Sequence, residues 1–451
     1  MKCFAPSLAL ALTTLLATAD ALSIQSSDIT ASSTGGHETL EKTWTVSSAE
    51  HLRDLLVVIP GNVFIDYDAS LKSAEGVVAK IVVSGDSEDL LNVFDVVPQD
   101  PKRGQAPSED RFMVHLKNKD ALVKGYVITQ IYVADKSVLR ELSVVSTHDA
   151  VLGENVLVTN DATASVKVST VGDGTLFFTS KDKFIAESLK IVMGGSGAVQ
   201  FQVASLQTTK DIKLSMGGSG QIALLAHEIQ TAKLDTDVGG SGEVFVQSDS
   251  LTAYDLATSI GGSGAVTLSK SGTCTNQKIT IAGSGSVSTG SIVCSDTKVS
   301  FTSSGHAIVQ TTNLLKISTI NSGSVQYVNA RPKKVSQSSF FSHHDILSQA
   351  SENTFKTYKT VEIPARAPLL LDLKIQQSRF SDMPNVEVVS GEKNSPFATN
   401  FAAAFTPSSA AGGLWSAVPV VGIAGVALAA VGALVRKFRQ QQNREEYAPL
   451  V

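Results

Sequence analysis

The residues able to do chemistry are few. His343-His344-Asp345 carries two imidazoles and a carboxylate, the groups that ligate zinc. A zinc site needs a third His or a paired Cys, and none is in sight, so the string reads as a solvated loop. Asp235, Asp237 and Asp255 recur at a spacing that places them on neighbouring structural repeats. Clustered carboxylates are what glycosidic acid/base chemistry requires. With no basic partner assigned to them, these three read as surface carboxylates. Gly283-x-Gly285 followed by Gly290 suggests a phosphate loop but lacks the GxxxxGK[ST] pattern. Gly-Gly-Ser-Gly opens like a calcium-binding nonapeptide, whose sixth position is an aspartate. Here that position is Val199, Ile222, Val244 or Val266, and an aliphatic side chain cannot bind a hard cation. No catalytic residue, metal ligand or cofactor site is assigned.

The elements that would hold such groups form a repeat. Gly-Gly-Ser-Gly stands at 194–197, 217–220, 239–242 and 261–264. Weaker copies end at Gly174, Gly285, Gly305 and Gly323. The corner glycines are therefore Gly174, Gly197, Gly220, Gly242, Gly264, Gly285, Gly305 and Gly323, 18–23 residues apart. Apolar residues alternate with polar ones after each corner, as in Val199/Phe201, Ile222/Leu224, Val244/Val246 and Val266/Leu268. They alternate again before it, as in Leu189/Ile191/Met193, Ile212/Leu214/Met216 and Leu256/Thr258/Ile260. Period 2 means a strand with one buried face. About 22 residues per unit suits a coil of three short strands. Stacked coils lie about 4.8 Å apart in parallel ladders. The inward position then carries Val199, Ile222, Val244, Val266, Val287, Ala307 and Val325 in one aliphatic stack. Glycine at the corner is expected to supply positive φ and room for the next corner. The fold class is all-β, a parallel β-helix solenoid, followed by one C-terminal transmembrane helix. A leucine-rich repeat lacks its framework, and a β-propeller needs a period near 40.

Cys3 lies in the leader, which leaves Cys274 and Cys294, 20 residues apart and about one coil. They follow their corner glycines by 10 and 9 residues. Neighbouring coils bring equal positions within disulfide reach, so a bridge stapling two coils is predicted. N-x-[ST] sequons are absent.

Both ends carry targeting signals. Met1-Lys2, an apolar run over Leu8–Leu16 and Ala19-Asp20-Ala21 make a secretory leader cleaved after Ala21. Leu414 to Val435 carries no charge and reaches roughly 33 Å as a helix, enough for a bilayer core. Arg436, Lys437 and Arg439 place the C-terminus in the cytoplasm. The reading is a single-pass type I protein of the plasma membrane or an endomembrane, N-terminus outside. Gly425, Ala429 and Ala433 permit a weak homodimer through the span. Tyr447-Ala448-Pro449-Leu450 resembles a tyrosine-based sorting signal, with Tyr447 and Leu450 as its key residues.

The organisation expected is a signal peptide at 1–21, a strand-rich N-terminal cap region at 22–124 and repeats at 125–330. A C-terminal cap region at 331–390 follows, then a stalk at 391–413, the span at 414–435 and a tail at 436–451. Thr360–Ile363 and Leu369–Ile375 read as strands of the C-terminal cap. A formal charge of −5 gives no electrostatic footprint for nucleic acid.

The Gly-Ser-Gly corners flanked by short alternating strands resemble the putative auto-transporter adhesin, head GIN domain family. The likeness extends over about 45–330, and Ile131-Tyr132-Val133 with Leu139–Val144 look like that family's lead into its first coil. It implies a β-helix, right-handed by analogy, with a surface role and no known catalytic residue. The expected function is non-enzymatic display or binding of a surface protein or glycan, through polar faces such as Gln200, Gln202, Glu243 and Gln247. A carbohydrate-active β-helix enzyme is the alternative. It lacks the Asn-Thr-Asp, Asp-Asp and Gly-His-Gly strings of polygalacturonases; Ser304-Gly305-His306-Ala307 comes nearest. A trafficked receptor using Tyr447–Leu450 is the third reading.

Overall fold

The computed structural model describes residues 22–74, 76–99, 110–339, 346–350, 355–379 and 383–389. The leader at 1–21, His343-His344-Asp345, the stalk, the apolar run at 414–435 and the Tyr447–Leu450 tail lie outside the described residues. Among the described residues, no helix is long and apolar enough to cross a membrane.

Strand after strand stacks in parallel, forming an all-β solenoid of about nine turns. Its regular strands are Thr175–Gly195, Ala198–Met216, Gln221–Val238, Glu243–Ile260, Ala265–Ile281, Ser286–Phe301 and His306–Thr319. Each pairs with the next along most of its length. The inward column runs Leu176, Val199, Ile222, Val244, Val266, Val287, Ala307 and Val325 in register. All eight are buried.

Each coil differs from the expected three short strands. It is one long extended stretch interrupted only at the glycine corner. The other bends appear as breaks in the alternation of buried residues. In Ala198–Met216 the inward set is Val199, Phe201 and Val203, then Leu206 and Thr208, then Ile212, Leu214 and Met216. The alternation breaks twice: it changes phase once between Val203 and Leu206, and it skips one inward position at exposed Lys210, where the ladder to the next coil shifts between Gln207 and Asp211. Three walls result, joined without a conventional turn at two of the bends.

At most corners the close approach of the neighbouring coil, and not the expected positive φ, is what calls for glycine. Among the repeat glycines only Gly172 (φ 139°) and Gly195 (φ 121°) have positive φ. What excludes a side chain elsewhere is the coil beneath. A Cβ on Gly197, Gly220, Gly242, Gly264 or Gly285 would stand 2.0–2.6 Å from the carbonyl oxygen of the corner glycine one coil earlier. Gly218, Gly240, Gly262 and Gly283 form a second such ladder at 1.9–2.2 Å. These carbonyls accept hydrogen bonds from the next corner, as Gly197 O does from Gln221 N at 3.0 Å and Gly220 O from Glu243 N at 2.9 Å. At Gly305 and Gly323 the nearest obstacles are instead the side chains of Ile281 and Phe301.

Cys274 and Cys294 are partners in the parallel ladder and are disulfide-bonded, with Cα atoms 4.5 Å apart. A loop of this length gives about 3 kcal/mol in the chain-entropy account. Cys274→Ser with Cys294→Ser should lower unfolding stability by about that amount. Denaturant unfolding of the two forms measures it. An unchanged midpoint would show that the ladder alone holds these coils.

Parallel stacking begins well before the first corner. Asp54–Val58 pairs with Glu141–Ser146, and Val63–Tyr67 with Ala150–Leu152. Arg111–Leu116 adds to the first of these in parallel, as part of Ala121–Val133 does to the second. Antiparallel strands then close this end. Val77–Gly85 lies on Ala121–Val133, Glu38–Ser47 on Val77–Gly85, and Phe94–Pro98 on Arg111–Leu116. At the other end Lys334–Ser339 and Leu347–Gln349 continue the parallel ladder.

Leu369–Gln376 does not cap the C-terminal end. It pairs antiparallel with Ala121–Val127 at the N-terminal end, and Asn385–Val388 pairs with it in turn. Its inward Leu371, Leu373 and Ile375 are buried. Thr360–Ile363 is not a strand. Residues 355–368 form the strap that carries the chain back along the solenoid.

Candidate binding surfaces

The strap crosses the wall that follows each glycine corner. The outward column of that wall runs Phe64, Val151, Phe177, Gln200, Ala223 and Phe245. Tyr358 packs on Phe245 with ring centroids 5.6 Å apart. Lys356 Nζ bonds Glu243 Oε1 at 2.5 Å and stands 5.7 Å from the Phe245 ring centre. Tyr358 N donates to Gln247 Oε1 at 3.0 Å. Gln200 treats Val361 as a β-partner: Oε1 accepts from Val361 N at 2.8 Å and Nε2 donates to Val361 O at 3.1 Å. Arg366 closes the series, bonding Asp66 Oδ2 at 2.5 Å and lying over Phe64. Residues that cross strands at a steep angle cannot join the ladder. The glutamine side chains satisfy the backbone polar groups instead.

Distances along the rod agree with this path. Phe245 to Gln200 is two coil steps, about 10 Å, and Tyr358 to Val361 spans about 10 Å extended. Gln200 to Phe64 is three steps, about 14 Å, and Val361 to Arg366 reaches about 16 Å.

The polar face expected to meet a partner is thus largely occupied. Gln200 is 3% exposed, Gln247 holds Tyr358, and Glu243 holds Lys356. Only Gln202 of that group is exposed. Sequence reasoning missed the strap because its contacts join residues 111 to 300 positions apart, without periodicity.

The three aspartates also differ from expectation, for basic partners stand beside two of them. Lys233 Nζ lies 3.0 Å from Asp235, and Lys213 Nζ lies 3.2 Å from Asp237 and 3.9 Å from Asp235. Asp255 accepts from Asn276 at 3.0 Å. Burial, then the charge of Asp235, pushes the Asp237 carboxyl above its usual range. A raised carboxyl pKa in the folded state means the native form holds its proton longer than the unfolded chain. Stability from this group is present at low pH and declines as pH rises through the ordinary carboxylate range. Asp237→Asn should therefore gain on the parent protein as pH rises above the ordinary carboxylate value of about 4. Thermal midpoints on either side of that value test it, Asp235 remaining as partner to Lys213. Parallel pH profiles for the two proteins would refute it.

Among the described residues a nucleophilic triad is approached once. His51 Nδ1 sits 2.6 Å from Asp135 Oδ2, and Ser137 lines the same cleft as His51. Burial works to raise the Asp135 pKa, but hydrogen bonds from His51 and Lys72 outweigh it and hold the carboxyl low. Ser137 Oγ makes no hydrogen bond to His51, and Lys72 Nζ shares Asp135 at 3.0 Å. These groups form a surface ion-pair network. The cleft, lined also by Arg53, Arg140 and Asp161, encloses about 220 Å³, under the roughly 300 Å³ of a small-molecule pocket. Among the described residues no group of three His, Cys, Asp or Glu side chains is placed to hold a metal.

The stacked corners and their in-register columns lie in the part of the chain that a known family describes. Residues 154–330 match the family described as putative auto-transporter adhesin, head GIN domain. The head GIN match therefore spans the coils from Asn160–Gly172 to Ser324–Tyr327. Similar solved structures include a putative lipid binding protein from Parabacteroides distasonis, at 15% identity and TM-score 0.36. That likeness covers 69% of this chain and 97% of the other. A putative adhesin from Parabacteroides merdae is similar at 16% identity and TM-score 0.32, over 66% and 94%. A second putative adhesin from P. distasonis is similar at 16% and 0.32, over 68% and 94%. No curated protein matches.

Proposed function

We propose that this protein is a non-enzymatic, adhesin-like rod displayed at a cell surface, held by a single C-terminal span with its N-terminus outside. The observation that carries this reading is the filled solenoid. Its interior column is packed with aliphatic side chains, and its outer walls offer long ladders of regularly spaced groups. Such a body suits extended surface contact better than turnover in a cleft. The adhesin-like family of the coils agrees with it.

The test is topology in a eukaryotic host expressing the full chain with one tag after Ala21 and one after Val451. Antibody should reach the first tag on intact cells and the second only after permeabilisation. Staining of both tags on intact cells, or release of the protein by alkaline carbonate, would overturn the reading. Tyr447→Ala separately tests the tail as a sorting signal: surface levels should rise if adaptors retrieve the protein, and unchanged levels would dismiss it.

A further inference from the structure

We infer that the last coils of the solenoid bind a linear acidic polysaccharide along a lysine ladder. The inference rests on the surface-rod reading and names the ligand class for one wall of it. Lys278 pairs with Lys298, and Lys298 with Lys316, in consecutive rungs of the parallel ladder. Three cationic side chains therefore project from one wall about 4.8 Å apart. This wall precedes the glycine corner, so it is not the wall the strap crosses. Two positions along each strand stand Thr280, Ser300 and Ser318, also in register and facing the same way.

The charge is local. From residue 270 to 339 there are seven Lys and Arg and a single acid, Asp296, in a chain whose net charge is −5. Asp296 Oδ1 is engaged by Asn313 Nδ2 at 2.7 Å and Leu314 N at 3.1 Å. Lys298 and Lys316 make no ion pair among the described residues. By contrast, upstream in the same column Lys167 is bonded to Glu141, and Lys213 to Asp237. The ammonium groups of Lys298 and Lys316, on adjacent rungs, repel one another. A ligand bearing anionic groups along a line relieves that repulsion at each rung.

The chemistry beside the lysines selects among polyanions. A hydroxyl row suits a sugar's own hydroxyls, as both donor and acceptor. No aromatic ring stands in these two rows, so bases have nothing to stack on. The rows also lack the large apolar side chains that enter a bilayer interface.

The experiment uses the full-length chain in detergent micelles, with immobilised polygalacturonate and heparin as probes. Neutral dextran, phosphatidylserine-containing vesicles and oligo(dT) serve as comparisons. Binding to at least one acidic glycan, absent on dextran, is expected, and it should weaken between about 50 and 200 mM salt. Lys278→Gln with Lys298→Gln and Lys316→Gln should reduce affinity about tenfold or more and flatten the salt dependence. Lys181→Gln with Lys183→Gln, exposed lysines on an earlier coil, should leave binding intact. Equal thermal midpoints establish that the triple variant is folded. No binding to either acidic glycan, undiminished binding by the triple variant, or stronger binding to vesicles or oligo(dT) would overturn the inference. Glycan binding that persists when the tag experiment fails would separate this inference from the surface reading.

Discussion

Gly197→Ala should destabilise the solenoid by about 4 kcal/mol or more, whereas Gly194→Ala three residues earlier should change stability by less than about 1 kcal/mol. Both belong to the same Gly-Gly-Ser-Gly string. A Cβ on Gly197 would stand 2.0 Å from Gly174 O and 2.7 Å from the Asp173 carbonyl carbon. Those are backbone atoms within the ladder. They cannot retreat without separating two coils, and separation would break the bond from Ala198 N to Gly174 O. A Cβ on Gly194 would meet only Val171 side-chain carbons, at 3.5 and 4.0 Å, which is ordinary contact. Gly195→Ala joins the severe class, since its φ is 121° and Gly172 O lies 2.3 Å from the added carbon. Denaturant unfolding of the three variants measures the ranking. Equal losses at all three would mean that the motif acts through flexibility and not through contact between coils.

Leu371→Asp should release the strap while leaving the coils folded. Leu371 is fully buried in the strand that pairs with Ala121–Val127, and it packs toward Gly61. A carboxylate there has no partner, and an unpaired buried charge costs about 3 kcal/mol or more. The coils have their own ladders and disulfide, whereas the strap has isolated contacts at Glu243, Gln247, Gln200 and Asp66. Losing the strand at its far end should therefore loosen residues 355–368 first. Trypsin at Lys356, Lys359 and Arg366 reports this: rapid cleavage in the variant, slow cleavage in the parent protein. Collapse of the whole thermal transition would instead make the strap a structural element of the core.

The coils were legible because one repeat dictates the next. Val199, Ile222, Val244 and Val266 announce a buried column, and the placement of Cys274 and Cys294 follows from the same period. The reason for the glycines was only half legible. The sequence suggests both positive φ and room for the neighbouring corner; the second, a contact some 20 residues away, decides at most corners, and the first holds only at Gly172 and Gly195. The strap was not legible. Gln200 and Gln247 look like solvent-facing amides until Val361 and Tyr358 arrive from more than 100 positions downstream. The ion pairs of Asp235 and Asp237 were hidden for a related reason. Lys213 reaches them only because the coils stack.

A wound rod can gain or lose whole turns with little penalty to its interior, since each turn repeats the geometry of the last. The returning segment removes that freedom over part of its length. It is fastened at Glu243 and again at Asp66, and it advances about one and a half residues for every turn it passes. A turn inserted between those fastenings would leave it one or two residues short, while a turn added beyond Ile260 would not. Growth of such proteins by duplication should accordingly be concentrated at the distal end, where the lysine column lies, with the tethered portion keeping a constant tally.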